Sequence, residues 1–404
     1  MKTGTIASPE LTGRRRRWPR LGGLDWLAIA LFIAGGVAVA TGLLPTADAR
    51  ATLARILPLL VFLGSVIVLA ELAARAELFD VIATRVTILA RGSNAGLFGL
   101  GLAFAAGITI FLNLDTTAVL LTPVMVATAV RAGVAPLPLA VTTVWLANTA
   151  SLLLPVSNLT NLLAMNRVQL NPLAFAARMA LPQLAALIVV AGCLWLFYWR
   201  TNPPRYTPPA PFVPKDRRVF TAAAVACAVF IIGILVGVGF NWIAAVCAAG
   251  LLAAFLVWNR KLLAWQMVPW RLLVFVTGLF LVVDTVGRHG LSDWMTTLIG
   301  TDPGSSGIAR AAATGGVLSN VLNNLPVYVA GEAVVPVANH DQLLGLLIGT
   351  NVGPLITPWA SLATLIWAER CRSAGVEIRW GKFIATGAIT ATLTLAASVG
   401  ALLI

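Results

Sequence analysis

The chain is 404 residues long, 59% hydrophobic and only 11% charged. Soluble domains carry about 45–50% apolar and about 25% charged residues, so this chain cannot cover itself with a water-facing surface. A soluble enzyme, a disulfide-rich secreted module and a disordered chain are excluded, which leaves an all-α, polytopic membrane protein. The formal net charge of +13 reads as topology signals at helix ends rather than as a nucleic-acid footprint. Cys193, Cys227, Cys247 and Cys371 stand far apart with no C-x-x-C, so neither a disulfide framework nor a metal site is expected, and no cofactor is implied.

Residues 1–23 form a basic tail that ends in Arg14, Arg15, Arg16, Arg17 and Arg20. Ala47-Asp48-Ala49 resembles a signal-peptidase site, but the apolar run 24–44 is longer than the roughly 7–15 residues of a signal-peptide core and reads as a retained span. A spanning helix needs about 20 apolar residues. Runs at 24–44, 53–75, 136–165, 173–199, 219–238, 241–258, 270–288, 341–369 and 383–404 qualify. Residues 76–91 set Leu78, Phe79, Ile82, Val86 and Leu89 against Glu77, Asp80, Arg85 and Arg91, the pattern of an amphipathic support arm on the cytoplasmic interface.

The apolar stretches 94–130 and 306–338 each carry a polar knot, Asn113-Leu114-Asp115-Thr116-Thr117 and Asn320-Val321-Leu322-Asn323-Asn324-Leu325-Pro326. Each reads as a hairpin, either two full spans with a tight turn or a re-entrant loop with its tip near the midplane. Parity is the same either way. With the N-terminus cytoplasmic, 22 of the 28 Lys and Arg fall in cytoplasmic segments and 6 outside, a strong positive-inside bias. The Pro-rich stretch within 200–218 reads as a cytoplasmic linker between a first membrane repeat at 24–199 and a second at 219–404.

The halves match where they are most polar. Leu114–Val119 lines up with Leu322–Val327, and each knot is followed by a long span with a second break. These breaks are Pro155–Asn161 and Gly349–Pro354. Five crossings separate 53–75 from its counterpart 270–288, so the repeat is expected to be inverted. Matched broken helices in inverted halves point to a transporter's binding site, because non-helical backbone at membrane depth survives only inside protein or around a watery cavity.

Asp115 lies in the first knot, and an intramembrane carboxylate is a functional candidate by default; it can also serve as a helix cap. Asn323 stands in the equivalent place, so one half alone carries the titratable group. Glu332 is a secondary candidate for proton carriage. Glu71 with Arg75, and Asp284 with Arg288, read as local pairs. Ser157, Asn158, Asn161, Thr350 and Asn351 offer hydrogen bonds without fixed charge and suit a small, neutral, hydroxyl-bearing solute. Asn113, Thr116, Thr117, Asn148, Asn320, Asn323, Asn324 and Thr357 complete the candidate set. Gly233/Gly237 and Gly345/Gly349 have the spacing of close helix packing. No phosphate-binding loop, zinc-protease helix or nucleophile elbow is found, so the chain reads as a secondary transporter and not an enzyme.

Asp115–Pro123 (DTTAVLLTP), Ala147–Asn161 (ANTASLLLPVSNLTN), Asn323–Pro326 (NNLP) and Ile348–Trp367 (IGTNVGPLITPWASLATLIW) carry a resemblance to the ion transporter superfamily. Within it, the chain is most similar to the ArsB-type arsenite permeases, from about residue 53 to the C-terminus. The resemblance implies a scaffold with a mobile, elevator-type transport domain, a place in the bacterial cell membrane, and export of arsenite or antimonite in exchange for protons. It also implies a separate ATPase subunit in some systems; a homodimer is a further expected partner. The chain departs from that pattern at Asn148 and Asn351, where acidic residues are usual, at Leu355 in place of a lysine, and in lacking one early span.

Three chemistries stay open on the residues: proton-coupled arsenite efflux, sodium-coupled carriage of dicarboxylate- or sulfate-like anions, and sodium/proton antiport of the NhaD kind. The topology is testable directly. Nine crossings place the C-terminus outside, so a C-terminal reporter active only in the cytoplasm is expected to stay silent; a strong cytoplasmic signal overturns the count.

Overall fold

The structure, a computed structural model, describes residues 23–404; the basic tail 1–23 lies outside them except for Gly23. Every named element is helical, as expected. Helix α1 (Gly23–Ala40) leads to α2 (Thr46–Arg75) and the amphipathic α3 (Leu78–Leu89). The first hairpin is α4 (Asn94–Leu112), the single turn α5 (Leu114–Thr116), a wide π-type turn at Thr117–Leu121, and α6 (Thr122–Arg131). A broken helix follows as α7 (Pro136–Thr149) and α8 (Leu159–Val168), then α9 (Pro172–Leu194). The second half runs α10 (Arg217–Leu235), α11 (Phe240–Trp258), α12 (Trp270–Val286) and α13 (Ser292–Ile299). Its hairpin is α14 (Ser305–Leu322) with α15 (Asn324–Val334), its broken helix α16 (His340–Val352) with α17 (Leu362–Ser373), and α18 (Trp380–Leu402) closes the chain.

Among the described residues eight helices are long and apolar enough to cross a membrane, and α1 contributes a shorter apolar helix at Asp25–Ala40. Six of the expected crossings coincide with these eight. The expected spans 136–165 and 341–369 are the two broken helices. The two hairpins differ from one another. Both arms of the first are of spanning length, at Asn94–Leu112 and Leu114–Arg131. The return arm of the second, α15, has 11 residues; at 1.5 Å per residue it covers about 16 Å and cannot cross a hydrocarbon core of about 30 Å.

Packing sorts the helices into two groups. Helix α1 lies on α12, and α2 lies on α10, α11 and α12. Both hairpins, both broken helices, α9 and α18 pack among themselves, with α9 on α18 and α14 on α16. Close backbone approach explains the tightest contacts. A Cβ on Gly278 would sit 2.4 Å from the Phe32 amide nitrogen, so α12 presses its backbone onto α1. Between α14 and α16 three glycines form a ladder. Added Cβ atoms on Gly345, Gly349 and Gly353 would lie 2.8, 2.1 and 2.5 Å from the carbonyl oxygens of Ile308, Ala312 and Gly316. The Gly345/Gly349 spacing thus serves hairpin-to-broken-helix contact within one chain.

Helix α3 and the Pro-rich stretch are tied down as well. Helix α3 buries Leu78 and Phe79 against α4 and α6, and Asp80 pairs with Arg131 at 3.3 Å. Burial pushes the Asp80 carboxyl above its usual range, an effect partly offset by the Arg131 guanidinium. The Pro-rich stretch is strapped to the α3–α4 corner. Asn94 N–H donates to Pro204 O at 3.0 Å, Tyr206 N–H to Gly92 O at 2.9 Å, and the Tyr206 hydroxyl to Thr87 O at 2.5 Å. Gly92 has φ +75°, and a Cβ there would meet Tyr206 O at 2.6 Å.

One expected pair is re-partnered. Glu71 and Arg75 do pair, at 2.9 Å, but Asp284 accepts from the Thr52 hydroxyl while Arg288 pairs with Asp48. The chain widens just beyond, at Gly287–Leu291, where Gly290 takes φ +108°; Asp284 and Arg288 line one cavity, each with its own partner on α2.

The glycine ladder gives a clean test. Gly349→Ala should cost about 1–3 kcal/mol, the usual range for overpacking, or prevent folding, because its new methyl meets backbone. Gly250→Ala, with nothing within 4 Å of the added atom, should leave stability unchanged or slightly raised. Thermal unfolding in matched detergent compares the two; equal midpoints would discard the ladder.

Candidate substrate and ion site

Two interrupted helices and two hairpin tips leave backbone groups unpaired where water is scarce, and the side chains there are the ones that satisfy them. At the first tip Asn113 adopts φ 88°, ψ 166°; at the second Asn323 adopts φ 84°, ψ 151°. Both N–H groups close the preceding helix, on Thr109 O and Ser319 O. Both side chains accept from the next turn, Asn113 Oδ1 from Thr116 N at 2.9 Å and Asn323 Oδ1 from Leu325 N at 3.4 Å. This combination of φ and ψ is used almost only by glycine and costs about 1–3 kcal/mol elsewhere, so the bonds on both sides of each asparagine hold it there.

These twin caps correct the register expected from the sequence. Asn113 corresponds to Asn323, so the counterpart of Asp115 is Leu325, and Asn323 is the counterpart of the cap. A string match of Leu-Asx pairs slid the alignment by two residues, because it cannot see which asparagine has the positive φ.

The breaks are matched in the same way. Asn158 (φ −153°, ψ 145°) caps α8 and Ser361 (φ −140°, ψ 151°) caps α17, each accepting from an N–H of the helix it opens. Their partners cross between halves. Asn351, at the end of α16, accepts from Asn158 Nδ2 at 2.9 Å and from the Thr160 hydroxyl at 3.1 Å, and donates to Asn161 Oδ1 at 3.1 Å. Asn148, at the end of α7, donates to the Thr364 hydroxyl at 3.3 Å. Asn148 and Asn351 therefore play corresponding parts, as do Asn161 and Thr364. Asn161 also donates to Ser151 O and Leu154 O, at 2.6 and 2.9 Å, and so holds the first break together.

A cavity of about 40 Å³ lies where these ends meet. It is lined by Leu114 and Asp115 from the first tip, Asn323, Asn324 and Leu325 from the second, Asn158 and Leu159 from the first break, and Leu362 from the second. Leu63 of α2 and Leu272, Phe275 and Val276 of α12 close the other side. Asp115 is the one ionisable group in the lining, and no cation or hydrogen-bond donor partners it among the described residues. Of the candidate residues, Asp115, Asn158, Asn323 and Asn324 line the cavity.

The others stand behind it. Asn148, Asn161 and Asn351 form the crossing network just described. Asn320 is a staple: it donates to Gly316 O and Gly353 O and accepts from both the N–H and the hydroxyl of Thr357. The Ser157 hydroxyl ties the first break to Ile110 O at 2.7 Å. Thr117 bonds Thr109 and Asn113 O within the first tip, Thr116 is buried beside it, and Thr350 bonds back to Leu347 O. Glu332 lies away from the cavity, paired with Arg55. Thr160, Ser361 and Thr364 belong to the network although sequence reasoning passed over them. Ser361 and Thr364 carried the signal of a helix start, a hydroxyl at the cap ahead of an apolar run.

A model of the CitMHS family, described as citrate transporters, matches residues 18–364. The chain belongs to this family. It is 27% identical to the arsenical pump membrane proteins of Yersinia enterocolitica and Escherichia coli K12, with 84% of each chain covered. A putative arsenical pump membrane protein of Bacillus subtilis is 23% identical over 78% of this chain and 80% of its own. The fold is similar to the Alcanivorax borkumensis YdaH transporter, described as having an unusual topology, with a TM-score of 0.52, 14% identity, and 94% and 96% of the two chains covered. Family, relatives and spans together make this a multi-pass bacterial membrane transporter.

The network separates two kinds of asparagine and aspartate. Asn351→Ala removes a buried bridge with three partners and is expected to lower unfolding stability by about 1–3 kcal/mol. Asp115→Asn has no partner to lose and should unfold like the parent. Unfolding curves recorded side by side decide it; an unperturbed Asn351→Ala would mean the crossing contacts hold nothing.

Proposed function

We propose that the protein exports arsenite or antimonite in exchange for protons, with Asp115 as the proton carrier and Asn158, Asn323 and Asn324 as solute ligands. The carrying observation is the cavity: one unpartnered carboxylate, three carboxamides, no basic residue, and a volume of about 40 Å³. In this measure one water needs about 10–15 Å³, so the cavity suits a solute of only a few heavy atoms. Arsenous acid, As(OH)₃, is uncharged near neutral pH and has three hydroxyls, which the carboxamides can both donate to and accept from. The names of the 27%-identical relatives support the same solute.

The two halves act in this reading as an inverted repeat, supported by the twin tips and the reciprocal bonds of Asn148 and Asn351. The N-terminus is cytoplasmic, supported by the charge split. The hairpins and broken helices move as one body past α2 and α12. Asp115 takes a proton on the outer side, crosses neutral and releases it inside. Crossing ionised would carry a desolvation penalty of several kcal/mol. Asn113, Thr116, Thr117, Asn148, Ser157, Asn161, Asn320, Thr350, Asn351 and Thr357 hold the frame around the solute.

A second reading has its own observation. The family model bears the description citrate transporter, which favours sodium-coupled carriage of a carboxylate anion. Against it stand the size of the cavity and Asp115, whose charge repels an anion with no Lys or Arg in the lining to offset it.

Proteoliposomes under imposed proton or sodium gradients, supplied with arsenite, succinate or citrate, distinguish these readings. Arsenite movement driven by the proton gradient is expected. Asp115→Asn should keep downhill arsenite movement and lose its dependence on the proton gradient. Retained pH dependence in that variant would remove Asp115 from the proton path, and gradient-driven citrate uptake without arsenite transport would replace the proposal with the second reading.

A further inference from the structure

Beyond the cavity the protein buries a second charged cluster. Glu332 of α15 is 2% exposed and pairs through Oε1 with Arg55 of α2, which is 48% exposed. Tyr328, one turn earlier on α15, is fully buried. The groups facing Glu332 are Arg55 from α2, Arg167 from α8, Asp284 from α12 and Tyr328 from its own helix. The cluster is under-bonded: Glu332 Oε2, the Tyr328 hydroxyl and Arg167 Nε are buried with no partner among the described residues. A permanent brace has reason to be fully bonded, since each unsatisfied buried group is costly. A pair with such loose ends has bonds to gain in a second arrangement.

Position supplies that arrangement. A cavity of about 370 Å³ opens between the ends of α2, α12 and α15 on the side that the charge split makes outer; Thr52, Asp284, Arg288, Ala330 and Ala333 are among its lining residues. The smaller cavity lies along the same three helices, at Leu63, Val276 and Leu325. Along α2, Arg55 falls between Thr52 and Leu63. Along α15, Tyr328 falls between Leu325 and Ala330, and Glu332 adjoins Ala333. The pair therefore joins the second hairpin to α2 between the outer vestibule and the inner cavity.

We propose that the Glu332–Arg55 pair is a proton-released latch that keeps the outer vestibule shut off from the transport cavity. One proton passes from the vestibule to the Glu332 carboxylate. The buried partner becomes a neutral carboxyl with an O–H to donate, and the half-exposed Arg55 swings into the vestibule, where water solvates it. Parting the two with Glu332 ionised leaves a buried carboxylate without its direct partner and only Arg167 near it. Glu332 is thus a positioning residue for the exchange. The direction of the driving gradient rests on the proton-coupled reading above, but the latch is tested without any solute.

The experiment uses the full chain in right-side-out vesicles. Leu325→Cys places a thiol in the inner cavity and Ala333→Cys one in the vestibule; the four native cysteines are buried. Labelling by a membrane-impermeant maleimide from outside is measured for each, and the Leu325→Cys rate is divided by the Ala333→Cys rate. That ratio should rise roughly tenfold or more as external pH falls through the carboxylate range. Adding Glu332→Gln should make it high at every pH. Adding Arg55→Gln should do the same, which keeps the test alive if Glu332→Gln fails to fold, whereas Arg55→Lys should keep the pH dependence. A ratio that ignores pH in the parent, or that keeps parental pH dependence in Glu332→Gln or Arg55→Gln, overturns the latch. Absence of arsenite transport with the expected labelling would overturn the solute reading and leave the latch standing.

Discussion

The structure depends on one constraint: every helix end buried away from water must have its freed amides and carbonyls satisfied by protein. Four interruptions raise that demand, at two tips and two breaks, and four caps meet it: Asn113, Asn323, Asn158 and Ser361. The carboxamides do more than cap. Asn351 links its own helix end to the opposing one through three bonds, and Asn320 fixes the second hairpin to the second break. The glycine ladder between α14 and α16 brings the backbones close enough for those short side chains to reach.

Near-symmetry in the caps makes the asymmetry around them informative. The tips share a backbone, yet two residues on one carries Asp115 and the other Leu325. A group needed only to cap would have a polar counterpart. Likewise Asn148 and Asn351 occupy corresponding helix ends, but Asn351 spends its whole carboxamide on partners while Asn148 Oδ1 is buried without one. Charge has been kept out of the shared frame and placed in one half at each level, Asp115 at the first tip and Glu332 on the second hairpin.

Much of this was legible in the sequence, and for identifiable reasons. Asn, Ser, Thr, Pro and Gly strings inside runs long enough to span contradict an uninterrupted helix, and the structure ends helices at Leu112, Thr149, Leu322 and Val352, within or beside such strings. The charge asymmetry and the apolar face of α3 were equally plain. What escaped were facts that depend on pairing across the fold. Nothing local ties Asn158 to Asn351, 193 positions apart, or Arg55 to Glu332, 277 apart. The two-residue register slip between the tips came from reading side-chain identity where backbone conformation decides. The Pro-rich stretch reads from composition only as a linker, and its anchors are backbone bonds to Gly92 and Asn94, which no composition reveals.

The distribution of intramembrane charge follows from how each group can be neutralised. Asp115 faces the cavity with no Lys or Arg in the lining, so in the proposed exchange a proton neutralises it and spares a crossing penalty of several kcal/mol. Glu332 pairs directly with Arg55 of the opposing group of helices, while Arg167 of α8, in its own group, also faces it. In the proposed motion of one group past the other, most of Asp115's neighbours travel with it, whereas Arg55, the direct partner of Glu332, stays behind. A carboxylate whose direct partner is stationary senses position, and one whose neighbours travel can carry a proton. Under that proposal the same residue chemistry takes two parts according to which group of helices holds the counter-charge.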